Sequence, residues 1–470
     1  MHSTLRMLVL MAGCVVVLGG CSLAPTYERP QAPVPAEWPQ GADVASRQTD
    51  PSPLASDVPW ETFFPDRNLG QVISLALENN RDLKLAALNV ARAQALYGVQ
   101  RAELYPGLGV SGAGTKERTA ADFTLPGASR TSKAFNVDLG IAAWELDFFG
   151  RIRSLKDQAL QEYLATEAAA RSVRITLIAG VAKAYLNLAA SRDHLVLART
   201  ALEVQEAAYA LVKRRHEAGL ATELDLRRAE VPVQTARGDI ARYTMLEAQA
   251  LNALNLLAGE TVPKGLLPEG LENLVPPRGV TPGLPSETLL RRPDILAAEH
   301  RLRGGYAFIG AARAAFFPSI SLTTTMGTAS EELSGLFGSG SDTWNFTPSV
   351  AMPIFDPRTW AAYRVSKAQQ KILLAEYEKA IQTAFKEVAD ALAVQEQIGR
   401  QIAAQEDLVQ ALARTYELSR KRYERGIDSY LGVLDAQRSL VDARQGLMTL
   451  KLTRLANEVQ LYAVLGGGGE

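Results

Sequence analysis

The sequence predicts an α+β membrane protein made by internal tandem duplication, with strand pairs and very long coiled-coil helices in each copy. Three observations carry this. The body of the chain is written twice. From Ile152 to Glu217 there is no Pro, and Gly180 is the only Gly. Each copy also holds segments in which apolar residues alternate with small or polar ones.

The duplication shows in matched positions. Arg81-Asp82-Leu83 and Arg101 to Pro106 correspond to Pro293-Asp294-Ile295 and Arg313 to Pro318, a shift of 212. Tyr209, Arg215, Glu217, Gly219 and Leu224 fall on Tyr416, Arg422, Glu424, Gly426 and Leu431, a shift of 207. The change lies between the two sets, where loops differ in length. The division follows: 1–20 signal peptide, 21–66 tether, 67–262 first repeat, 263–285 linker, 286–465 second repeat, 466–470 tail.

Each copy reads in one order. A helix comes first, about Leu69 to Leu104 and about Ser286 to Phe316. A strand pair follows. A long helix then runs from about Ile152 to Glu217, and from about Thr359 to Arg425. A Gly turn leads into a returning helix, to about Leu257 and about Leu465. At the rise of an α-helix the long segment spans roughly 100 Å. Leu188, Leu195, Leu202, Tyr209 and His216 recur every seven residues. Their mates Gln395, Ile402, Val409, Tyr416 and Tyr423 keep that heptad, the signature of coiled-coil packing. Gly219 and Gly426 stop the long helices, since Gly readily takes the left-handed conformation. Thr222, and Asp428 or Ser429, are fair N-caps for the helices that return.

In the strand pairs, Phe135, Val137, Leu139 and Ile141 alternate with Asn136, Asp138, Gly140 and Ala142. Trp344, Phe346, Val350 and Met352 alternate with Asn345, Thr347, Ser349 and Ala351. The first strands, Leu108 to Gly114 and Ser319 to Met326, are weaker. Such alternation over about ten residues fits a transmembrane β-barrel. Four strands cannot close a barrel, and open edges cannot sit in lipid. If these strands span the membrane rather than cover a soluble core, several chains must share one barrel. The polar, Gly-rich segments Lys116 to Ser132 and Ala329 to Asp342 read as extracellular loops.

The N-terminus reads as a processed segment. Arg6 precedes a short apolar run, Met7 to Leu18, and Leu18-Gly19-Gly20-Cys21 resembles a bacterial lipobox. Cleavage before Cys21 and acylation of its thiol would leave a lipid anchor, each buried CH₂ contributing ~0.8 kcal/mol. Ser22, rather than Asp, after Cys21 leans towards the outer membrane. From Pro25 to Pro59 the chain reads as an extended tether whose Tyr27, Trp38 and Trp60 dock on the body.

Composition excludes several classes. The net charge of -1 offers no excess of cations for nucleic acid. Cys14 leaves with the signal, so no internal disulfide and no thiol-rich metal site can form. His2, His194, His216 and His300 are scattered, and no phosphate loop or catalytic cluster occurs. Gly109 to Ala113 approaches a nucleophile elbow but lacks the last Gly. No enzyme activity is expected, and no cofactor beyond covalent lipid on Cys21.

Arg422-Tyr423-Glu424-Arg425-Gly426-Ile427-Asp428-Ser429-Tyr430-Leu431-Gly432-Val433-Leu434-Asp435-Ala436-Gln437-Arg438 is the most distinctive segment. It is echoed from Arg215 to Leu226, and Trp144 to Arg151 forms a strand-to-helix passage. With the lipobox and the duplication, these segments resemble the TolC-type outer-membrane efflux channel family, in its OprM-like lipoprotein branch. The resemblance implies a homotrimer with a 12-stranded β-barrel, four strands per chain, continued by a periplasmic α-helical barrel with coiled-coil tips. The tether, linker and tail would form an equatorial belt. The tips, at Gly219, Leu220, Gly426 and Ile427, would meet a periplasmic adaptor (membrane fusion) protein. That adaptor would join the duct to an inner-membrane resistance-nodulation-division pump. The expected function is passive conduction of drugs or other toxic compounds; a type I protein-secretion duct and a metal-ion efflux duct are the alternatives.

Leu431 and Asp435 are four apart and share a helix face. The resemblance implies an apolar ring and a carboxylate ring there, with Tyr423 and Asp225 in tip contacts between helix pairs. Taken alone, Asp435 reads better as a solvated helix residue paired with Arg438 or Arg228, and it is the resemblance of the surrounding motif that favours the aperture role. Asp428 and Gly432 stand where TolC carries charged gate residues, so its gate bonds do not transfer.

Overall fold

The computed structural model describes residues 22–39, 55–280 and 289–469. The expected signal peptide and Cys21 lie outside the described residues. In chain order the elements are α1 (Trp60–Phe63), α2 (Arg67–Asn79), α3 (Arg81–Ala102), β1 (Leu108–Arg118) and β2 (Thr131–Leu146). Then come α4 (Arg151–Glu217), α5 (Glu223–Ala258), α6 (Pro293–Ala314), β3 (Ser319–Ser330), β4 (Asp342–Ala351), α7 (Pro357–Glu424) and α8 (Tyr430–Val464).

The long helices are unbroken, with 67 residues in α4 and 68 in α7. The heptad seam holds where it is apolar. Leu188, Leu195 and Ile402 are buried, whereas Gln395 is exposed. The first helix departs from expectation. It divides at Asn80, whose extended backbone (ψ 132°) interrupts the helical ladder. The Asn80 side chain accepts the Leu83 amide at 3.0 Å and donates to the Leu257 carbonyl at 2.9 Å, so one residue caps the new helix and ties down another. The strands β1 and β3 also run four residues beyond the expected ends, shortening both loops.

The chain forms two compact units, each drawing on both repeats. One comprises, among the described residues, 22–31, 89–167 and 297–377. It contains an antiparallel sheet in the order β1-β2-β3-β4. Register places Val110, Leu139, Met326 and Trp344 in one row, and Leu108, Ile141, Thr324 and Phe346 in the next. Directly opposed residues share a face, so the apolar sets of both strand pairs form one continuous surface. A bulge between Ile141 and Trp144, with Ala143 at φ 49°, inserts one residue and returns Trp144 to that face. At the strand-to-helix passage, Glu145 accepts two bonds from Arg151, at 2.8 and 2.6 Å. Asp147 accepts the Arg153 amide at 2.8 Å, satisfying an orphan donor of the first turn of α4.

In the same unit the tether lies on α6. Tyr27 and Arg29 bond to buried Glu299, and Arg313 donates to the Leu23 carbonyl at 3.0 Å. The other unit is built around Phe63 and Tyr462, whose rings stack at 3.9 Å. The Tyr462 hydroxyl donates to the Val58 carbonyl at 2.6 Å, and Trp38 stacks on Phe385 at 5.0 Å. Trp60 is buried in that unit too.

Candidate functional site

The ends of the long helices lie within one unit and share a turn. After α4, the Leu220 amide donates to the Arg215 carbonyl at 2.8 Å and the Gly219 amide to the His216 carbonyl at 2.9 Å. After α7, Ile427 donates to Arg422 at 3.0 Å and Gly426 to Tyr423 at 2.9 Å. This paired closure is the Schellman motif, and it needs a left-handed residue. Gly219 and Gly426 supply it, at φ 75° and 74°. The returning helices start differently. Thr222 and Asp225 form a full capping box, the Asp225 amide reaching the Thr222 hydroxyl at 3.1 Å. Ser429 stands at the N-cap of α8 without a side-chain bond. Asp428 instead takes a two-point contact from Arg422, one arm at 3.1 Å.

The chemistry of each charge follows from these bonds. Hydrogen bonds from the Thr222 hydroxyl and amide hold the Asp225 carboxyl below its ordinary value. The Arg422 guanidinium does the same to Asp428. Both carboxylates are ionised at neutral pH, and each is engaged next to its own turn.

An aromatic cluster joins the four helix ends. Val212 of α4, Ala229 of α5, and Tyr430 and Val433 of α8 are buried together, with Tyr209, Tyr416 and Tyr423 against them. Tyr423 and Tyr430 lie 5.0 Å apart at a tilt of 53°, and the Arg215 guanidinium sits 5.1 Å above the Tyr423 ring. Among the described residues the Tyr430 hydroxyl has no hydrogen-bond partner. Burial pushes it up to about 12, helped by the nearby Tyr416 and Tyr423.

The expected site residues therefore separate into three sets. Gly219, Leu220, Gly426 and Ile427 form the turns, with Leu220 71% and Ile427 56% exposed. Tyr423 enters the aromatic cluster, but Asp225 is not bonded to it; the capping box holds Asp225 at its own turn. Leu431 and Asp435 are exposed on α8, on the face away from buried Val433, Ala436 and Leu440. Neither Arg438 nor Arg228 forms an ion pair with Asp435 among the described residues. The sequence reading missed Tyr430 and Arg215 as partners of Tyr423. A signal existed: Tyr416, Tyr423 and Tyr430 are spaced by seven. Among the described residues no group of acidic, His or Cys side chains could hold a metal ion.

The chain matches the Outer membrane efflux protein family over residues 72–260 and 284–467. It is 44% identical over 464 residues to the antibiotic efflux pump outer membrane protein ArpC of Pseudomonas putida, spanning 98% of this chain and 96% of that protein. The toluene efflux pump outer membrane protein TtgC of the same species matches with the same identity and coverage. The fold matches the crystal structure of the open state of the MtrE outer membrane channel of Neisseria gonorrhoeae, with a TM-score of 0.85 and 37% identity, covering 96% of this chain and 99% of that one.

Proposed function

The chain belongs to the outer membrane efflux protein family, and from that premise we propose that it is the outer-membrane channel subunit of a tripartite efflux system. The observation that carries this reading is the sheet. It has one continuous apolar face and two edges, β1 and β4, with no strand beside them among the described residues. Unpaired edges are too costly in hydrocarbon, so the edges must pair with those of further copies. Three copies give twelve strands, within the range of membrane barrels. Exposed apolar residues on α3 (Leu96, Val99) and α7 (Val365, Ile372) support the same assembly, because each pair offers an unpartnered seam to a neighbouring copy.

In the trimer, exposed Leu431 and Asp435 face the axis and form the narrowest ring at the tip. Three Leu side chains exclude water, and three carboxylates favour cations. At ~6 Å, each carboxylate pair repels by ~0.7 kcal/mol in a water-like dielectric. The aromatic cluster around Tyr430 opposes that repulsion by holding the helix ends of each chain together. The exposed turns at Leu220 and Ile427 receive a periplasmic adaptor, which connects the duct to an inner-membrane pump. Acylation of Cys21 anchors the chain to the outer membrane. Two relatives equally similar to this chain are named for different cargoes, an antibiotic and toluene, which supports a duct whose cargo is chosen by its pump.

Reconstitution of the purified protein in planar lipid bilayers tests the reading. Discrete conductance steps with a small resting value are expected. A trimeric preparation that never conducts would refute it.

A further inference from the structure

The apolar face of the sheet changes character at its loop end. Gly114 lies opposite Phe135, and the next row on that face is Lys116 opposite Lys133, followed by Arg118 opposite Thr131. Alternation sends the intervening Glu117, opposite Ser132, to the other face. Lys116, Lys133 and Arg118 thus continue the surface that carries Phe135, Leu139 and Trp344. None of the three is in an ion pair among the described residues. Two ammonium groups directly opposed in a sheet repel each other unless an anion lies between them. Cα atoms of opposed residues are about 4.5–5.5 Å apart, a spacing at which one tetrahedral phosphate can accept from both side chains.

Position along the strand identifies the anion. From Phe135 to Leu146 the apolar face covers about 36 Å of strand, and a tilt of 35–45° reduces this to roughly 25–30 Å, the height of a membrane barrel's apolar band. The Lys116–Lys133 row begins one strand repeat beyond Phe135, about 5 Å above the band after tilting. That is the level of lipid headgroups. The chain enters β1 from α3 and leaves β2 for α4, so this row lies at the end of the sheet away from the helices. The second hairpin is different. Its loop end carries Glu331, Glu332 and Asp342, so the basic rim is confined to β1 and β2.

We propose that Lys116, Lys133 and Arg118 form a binding site for the phosphate groups of an acidic outer-leaflet lipid, with the Phe135 ring beneath them against the lipid's apolar part. The site rests on the channel reading above, which sets the outward end of the sheet. It gives each copy its own lipid contact beside the barrel edge.

The test uses full-length protein in lipid nanodiscs, with lipopolysaccharide as the probe. Its dephosphorylated form and inorganic phosphate are the controls, and planar-bilayer conductance is recorded on each preparation. Wild type and K116R/K133R should bind the phosphorylated lipid alike, and K116Q/K133Q about thirtyfold more weakly, from the attraction of two lysines to an anionic surface. Wild type should bind the dephosphorylated lipid as weakly as the double variant does. Equal binding by wild type and K116Q/K133Q, in preparations that conduct, would overturn the site and leave the channel reading intact. So would competition by millimolar inorganic phosphate, which would mark a free-anion site. A fall in trimer stability with unchanged lipid affinity would also overturn it, assigning the lysines to acids of a neighbouring copy. Wild-type protein that binds no lipid and never conducts would remove the channel reading and this site together.

Discussion

Replacing Glu299 by Ala should release the N-terminal tether from α6. Glu299 is 2% exposed, and three side chains converge on its carboxylate. Tyr27 donates at 3.0 Å, Arg29 at 3.1 and 2.8 Å, and Arg303 at 2.6 Å. Tyr27 also meets Tyr306 edge-on at 5.5 Å and carries the Arg303 guanidinium 4.8 Å above its ring. A hydrogen bond to a charged group contributes about 1.5–3 kcal/mol. The sum must be discounted, because the Arg29 and Arg303 side chains remain 45% and 38% exposed and regain water when the carboxylate is lost. About 2–3 kcal/mol remains for the clasp, a factor of roughly 30 to 150 in the population with the tether free. Chymotrypsin cleavage after Tyr27 reads that population when opening is fast relative to cleavage. Glu299→Ala should accelerate it at least about thirtyfold. An unchanged rate would refute the clasp. The pH response has a fixed sign. Burial raises the Glu299 carboxyl, but the bonds from Arg29, Arg303 and Tyr27 outweigh it and hold it below its ordinary 4.5. A lowered folded value means the stabilisation is complete above 4.5 and is lost as pH falls through the folded value. Wild-type tether release, followed with pepsin in acid, should rise only on acidification below that point, whereas Glu299→Gln should show no such rise.

Gly219→Ala with Gly426→Ala should cost ~1–2 kcal/mol at each turn, because a side chain is strained in the left-handed conformation; hydrogen exchange at the Leu220 and Ile427 amides should quicken, and unaltered protection would count against the paired closure. Tyr430→Phe should leave thermal stability nearly unchanged, since the hydroxyl has no partner, whereas Tyr430→Ala should cost about 3–5 kcal/mol by opening a cavity among the four helix ends. Equal losses in the two variants would show that the hydroxyl is bonded. Leu431→Ala with Asp435→Ala should raise resting single-channel conductance in planar bilayers, and an unchanged value would move the aperture elsewhere.

Elements governed by local periodicity were legible in the sequence. The heptads from Leu188 to His216 and the absence of Pro specified α4 almost to the residue, and two glycines specified the turns. The alternation at Phe135 to Ile141 gave the apolar face of β2. What escaped depends on contacts far apart in sequence or on a single side chain's choice of partner. Asn80 splits a helix because its amide finds the Leu257 carbonyl, 177 positions away. Glu299 looks like an ordinary helix-surface acid until Tyr27 and Arg29 arrive from the tether. Asp225 matches a family tip-contact position, and within the chain its carboxylate bonds Thr222, three residues away. Tyr430 meets Tyr423 across its own turn, but Arg215 reaches it from the other hairpin, which no period within one helix encodes.

The central claim is that β1 of one copy pairs with β4 of the next, so that three chains close one barrel. Cysteine pairs placed along these edge strands test it directly by oxidative cross-linking in native membranes. A barrel of three chains gives covalent dimers and trimers for at least one register and nothing larger. Monomers at every register, or a ladder continuing past three, would contradict it.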